Sequence, residues 1–167
     1  MAGSFITISV EDAAARAMLN KLGQMDTAPL MRRLGERIQA WTQDRFDANQ
    51  QQAPDGTPWA KLNPKYAQNK PRHLQNRKLT LGGYLRKSIR WQLLDSQSVQ
   101  VGTNVKYAAI HQFGGTIRPK KGKALAFGGR FVQSVTIPAR PYLGISEHDN
   151  KEIQEIIKDW VLEQQGG

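Results

Sequence analysis

Residues 107–143 read YAAIHQFGGTIRPKKGKALAFGGRFVQSVTIPARPYL, and the order of signals in them decides the fold. A short apolar pattern at helical spacing (Tyr107, Ala108, Ile110, His111, Phe113) stops at Gly114-Gly115, a pair that ends helices and accepts positive φ. A basic loop with Arg118, Lys120, Lys121 and Lys123 follows. Gly128-Gly129 then turns a hairpin whose second limb opens at Arg130 and alternates through Phe131, Gln133, Val135 and Ile137. The stretch leaves through Ile137-Pro138-Ala139-Arg140-Pro141-Tyr142-Leu143, where two prolines hold the backbone extended. A short helix feeding alternating strands belongs to an α+β arrangement.

Upstream, Ile89, Trp91 and Leu93 alternate, as do Val99 and Val101, with Asp95-Ser96-Gln97 as the turn between them. Gly102-Thr103-Asn104 breaks that pattern, and Asn104 is placed to cap the short helix. Downstream, Ser146 and Asp149 have capping-box spacing, and Ile153, Ile156, Ile157, Trp160 and Val161 follow at helical intervals with acids on the outer face. At the start of the chain, Ile6, Ile8 and Val10 share one face of a strand. Ser9 and Asp12 open an alanine-rich helix ending near Gly23. Thr27 and Pro29 open a second helix, with Leu30, Leu34, Ile38 and Trp41 on one stripe and Phe46 near its end. The expected fold is α+β: an antiparallel sheet of about four to five strands with helices packed on it and long basic loops. Residues 1–167 are expected to form a single domain. Its parts are an N-terminal strand and two helices (4–48), a long loop (49–80), the sheet with the short helix (86–137) and a C-terminal helix (146–164).

Between Asn49 and about Thr80 periodicity disappears, and Pro54-Asp55-Gly56, Pro58, Pro64 and Pro71 argue against continuous regular structure. Asn63 and Pro64 can start one short helical turn through Tyr66. Trp59, Leu62 and Tyr66 read as anchors in an otherwise basic segment. Two readings stand: a solvated loop, or an arm that orders against a partner.

The net charge of +10 is unevenly spread. Residues 1–55 hold 6 Lys/Arg against 7 Asp/Glu, and residues 147–167 hold 2 against 6. Residues 56–146 hold 16 against one acid, Asp95. Solvated surfaces usually mix both signs, so this segment calls for a polyanion such as DNA or for an acidic protein neighbour. No cysteine is present, which excludes disulfides and thiolate metal sites. No charged start leads into an apolar run, so no signal peptide is expected. Nor does any window approach the ~20 apolar residues that span a bilayer, so no membrane partner is expected.

Catalytic groups are scarce. HExxH, GxxxxGK[ST], GxSxG and GxGxxG are all missing from the sequence, and the basic middle offers only Asp95 beside His73 and His111 for a metal. An acid–base pair of His111 and His73 acting on a phosphodiester is chemically conceivable, but no spacing supports it. No cofactor is expected, nor any catalytic or metal-binding residue. Arg118, Lys120, Lys121, Lys123 and Arg130 form a basic loop that can meet DNA phosphates without reading sequence.

Tyr107-Ala108-Ala109-Ile110-His111-Gln112-Phe113-Gly114-Gly115 followed by Ile137-Pro138-Ala139-Arg140-Pro141-Tyr142-Leu143-Gly144 resembles the virion-morphogenesis or tail-completion proteins of Mu-like tailed phages. Gly56-x-x-Trp59, the run from Leu81 through Ile89, and Val101-Gly102-Thr103-Asn104 fall in the same order as in that family. The resemblance runs from about Ala28 to the C-terminal helix. It implies a non-enzymatic structural protein of the virion, assembled in the host cytoplasm, that completes the tail or joins it to the head at the neck. It further implies a homo-oligomeric ring around the DNA channel, with other neck, connector and tail proteins as partners and genomic DNA as a phosphate-contacting neighbour. On that reading Arg140, Tyr142, His111, Phe113 and Trp59 are the expected subunit or neck-partner contacts. A stand-alone, sequence-nonspecific nucleic-acid-binding module is the competing expectation.

Overall fold

Helix α1 (Ala28–Asp44) is the layer on which the others stack. Pro29 sits in its first turn, where a missing N–H is harmless, and the Asp26 carboxylate accepts from the Ala28 amide at 3.0 Å. The computed structural model describes residues 4–9, 26–120, 122–127 and 130–165. The helix expected between Ser9 and Gly23 lies outside the described residues, as does the Gly128-Gly129 turn. Along α1 the predicted stripe of Leu30, Leu34, Ile38 and Trp41 is buried, joined by Met31. Burying each such side chain contributes about 1.5–3 kcal/mol.

One face of α1 packs on a three-stranded antiparallel sheet ordered β1–β3–β2, built from β1 (Ser4–Ser9), β2 (Arg90–Asp95) and β3 (Ser98–Thr103). The β2–β3 hairpin follows the predicted alternation, and Val99 and Val101 face α1 fully buried. Gly35 makes the close approach possible: a Cβ there would lie 2.8 Å from the Trp91 ring and from Val99. The edge strand β2 is secured from the helix, where Gln39 accepts from the Trp91 amide at 3.0 Å. Helix α5 (Glu147–Gln165) packs against α1 through Ile153, Trp160 and Val161. Ser146 and Asp149 form the predicted reciprocal box, their side chains and amides exchanging bonds at 2.9 and 3.0 Å.

Three short helices occupy the connections: α2 (Pro64–Gln68), α3 (Tyr84–Ser88) and α4 (Ala108–Phe113). Asn63 caps α2 as its sequence predicts, accepting from the Lys65 and Tyr66 amides. Asn104 does not cap α4. Tyr107 occupies the N-cap position without a side-chain bond, and Thr103 accepts from the Val105 amide instead. The α+β class holds, but the strands do not form one sheet. Besides the three-stranded sheet, β4 (Gly115–Ile117) pairs with β7 (Val135–Ile137), and β5 (Leu125–Phe127) pairs with β6 (Arg130–Val132). The single strand expected through residues 131–137 breaks at Gln133-Ser134, so its halves serve different ribbons. Both ribbons make their main contacts within themselves.

Candidate functional site

The proline-held exit after β7 is a fastener. Arg140, only 6% exposed, donates from Nε to the Ala60 carbonyl (2.8 Å) and from its terminal nitrogen to the Lys61 carbonyl (2.9 Å). Its own amide donates to the His111 carbonyl at 2.7 Å. Trp59 reaches the same segment from the loop side, donating from Nε1 to the Pro141 carbonyl at 2.7 Å. Tyr142 is fully buried, its hydroxyl on the Ala108 carbonyl, and Phe46 stands between the Trp59 and Tyr142 rings at 5.3 and 5.5 Å. Gln112 completes the hold from α4, accepting from the Tyr142 and Leu143 amides and donating to the Leu143 carbonyl.

Arg45, just past α1, ties this exit to α5. Its guanidinium donates to the Tyr142 and Gly144 carbonyls at 2.9 Å and pairs with Asp149 at 2.5 Å, with both side chains buried. Burial pulls this arginine below its ordinary pKa, and Asp149 opposes the shift. A buried pair with its lone pairs and protons occupied holds position, whereas removing one partner costs about 3–5 kcal/mol.

The long excursion 49–80 is held just as firmly. Gln51 bonds the Ala48 carbonyl and the Lys78 amide through its side chain. Lys70, buried beneath the Tyr66 ring, donates to the Arg77 and Thr80 carbonyls. Arg77 donates to the Phe46 carbonyl at 2.9 Å. Burial first, then the neighbouring Arg77 and Arg140, lower the Lys70 pKa.

Residues 113–137 are built differently. Gly114 starts this arm at φ +71°, where a Cβ would sit 2.8 Å from the Ala139 amide nitrogen, so no larger residue fits the turn. Phe113, just before it, is 74% exposed; beyond it, Phe131 is 81% exposed and Ile117 is exposed as well. Arg118, Lys120 and Lys123 are exposed on the same arm.

The expected contact residues therefore separate into two groups. Trp59, Arg140 and Tyr142 are interior, their polar atoms bonded within the chain, so they shape the surface from beneath. Phe113 is presented to solvent. His111 lies between, half-buried, with its ring edge-on to Tyr107 and Nδ1 buried without a hydrogen-bond partner among the described residues. Burial, then the charge on Arg140, lower its pKa. Of the basic-loop residues, Lys121 and the Arg130 side chain lie outside the described residues. Arg45, Gln112 and Asp149 carry more of the site than the motif residues around them. Arg45 continues the Leu34–Ile38–Trp41 stripe by one turn, and a cation on an apolar stripe signals a buried partner.

Among the described residues, no cluster of three or more His, Asp or Glu side chains is placed to hold a metal ion. No helix among them is long and apolar enough to cross a membrane. The acids of α5 are partly matched inside the chain: Arg33 pairs with Glu163 at 2.8 Å and Arg37 with Glu152 at 2.7 Å.

Residues 7–162 match the phage virion morphogenesis family, and the chain belongs to it. It is also 33% identical over 133 residues to the Mu-like prophage FluMu G protein 2 of Haemophilus influenzae, covering 80% of this chain and 77% of that one. No solved structure matches. The chain's work thus lies in phage virion morphogenesis.

Proposed function

We propose that this chain is a non-enzymatic structural component that completes the phage tail or joins it to the head at the neck, assembling as a homo-oligomeric ring around the DNA channel. The observation that carries this reading is family membership across residues 7–162 in a chain whose buried polar side chains act as fasteners. Arg45, Lys70, Arg77 and Arg140 are held on backbone carbonyls, and on this reading the working part is protein surface, in the virion or at the site of its assembly. The deciding test is a phage or prophage lacking this gene. Filled heads and separate tails that never join are the expected result, with joining restored by the gene supplied in trans. Normal infectious particles overturn the reading.

The exposure of Arg118, Lys120 and Lys123 on an arm without carboxylates favours one second reading, sequence-independent contact with DNA phosphates. Three such contacts would weaken binding about 40-fold between 50 and 200 mM salt. Fluorescence anisotropy with duplexes of unrelated sequence measures that slope. A flat response excludes it.

A further inference from the structure

We propose that the arm of one copy seats in the groove between α1 and α5 of a second copy. This rests on the assembly reading above and names the contact through which copies join. Phe113 at the end of α4, and Ile117 and Phe131 on the arm, are presented to solvent, and large exposed apolar side chains are candidates for an interaction surface. They are accompanied by Arg118, Lys120 and Lys123, and the sequence offers no acid between Asp95 and Glu147 to neutralise them.

The groove supplies what the arm lacks. It is an open trough of about 400 Å³ lined by Ala40 and Ile156 together with Glu36, Asp159, Glu163, Arg33 and Arg37, the two arginines being held by Glu163 and Glu152. Glu163 is matched by Arg33, whereas Glu36 and Asp159 have no ion pair among the described residues. Within one chain neither ribbon of the arm packs extensively on α1 or α5, and Ala40 and Ile156 in the groove are only half-buried.

Arm and groove are different surfaces, so their union is heterologous. Each copy that docks still offers a free groove or a free arm to the next, and a rotation that closes gives a ring. Pairing of free copies through such a contact is concentration-dependent, as for any association of two molecules.

The test places a photo-reactive benzophenone side chain at position 131 of the full chain, in place of Phe131. Irradiation at rising protein concentration is followed by peptide mapping of the covalent dimer. Adducts on the α1 and α5 residues of a second copy support the proposal. Replacing Glu36→Lys together with Asp159→Lys should lower dimer yield roughly tenfold, and Lys120→Glu with Lys123→Glu on the arm should recover it. All four positions are exposed, and circular dichroism checks that the variants keep their helix content. Adducts mapping to another face, adducts only with added duplex DNA, or no adduct between copies each overturn the proposal. The gene deletion reads assembly itself, so separate heads and tails combined with no groove adduct would sink the docking alone.

Discussion

Residues 49–80 and residues 114–137 look alike as sequence, each long, basic and broken by Gly or Pro, yet the structure treats them oppositely. The first is sewn to the body by Trp59 on the Pro141 carbonyl and Arg77 on the Phe46 carbonyl, and is braced within itself by Lys70 on Thr80 and by Gln51 on Lys78. The second is held by two ribbons of three-residue strands and turns Phe131 outward. Paired strands that short are marginal by themselves. Length and charge do not decide whether a loop belongs to the body. What decides is whether its long polar side chains find carbonyls to hold.

Changes in the fastened region should reach the whole molecule, and changes in the arm should not. The largest effect is expected from Arg45→Met, which strands Asp149 in the interior. A loss of about 3–5 kcal/mol is expected in denaturant unfolding. Should the midpoint barely move, the fastener is not what unites exit and helix. Arg140→Lys comes next, because an ammonium cannot serve the Ala60 and Lys61 carbonyls in the planar geometry of a guanidinium. About 1–3 kcal/mol is expected, together with faster limited proteolysis inside residues 60–80.

His111 sharpens the contrast through pH. Its folded pKa is lowered, so the unfolded chain binds more protons in the window between the folded value and the ordinary one. Stability from this group is complete above about pH 6.5 and is lost as pH falls through that window. Thermal melts of His111→Gln should show a flatter acid limb than the parent. The smallest stability effect belongs to Phe131→Ser, within about 0.5 kcal/mol, since little of that ring is covered. A large drop in melting temperature would mean that the arm is part of the core.

Much of the body was legible in advance because periodicity reports burial directly. The Leu30–Trp41 stripe, the 89–101 hairpin and the Ser146/Asp149 box all stand where their spacing put them. Pairing between distant segments was not legible: nothing local tells β1 to join β3, or divides residues 131–137 between two ribbons. The site was half legible. The motif from Ile137 to Gly144 was visible as a unit, but its inward role depends on carbonyls of Ala60 and Lys61, some eighty positions away. A carbonyl has no sequence signature, so Arg140 reads equally well as a surface contact. Phe113, last residue of a two-turn helix, is the one expected contact residue that the structure leaves largely exposed.

The doubled duty of Asp149 has a kinetic consequence. The same carboxylate that caps α5 grips Arg45, which in turn grips the carbonyls of Tyr142 and Gly144. The first turn of α5 therefore cannot fray by itself, as helix ends ordinarily do. Amide protons there and around residues 142–144 should exchange with solvent through one shared opening, at one free energy.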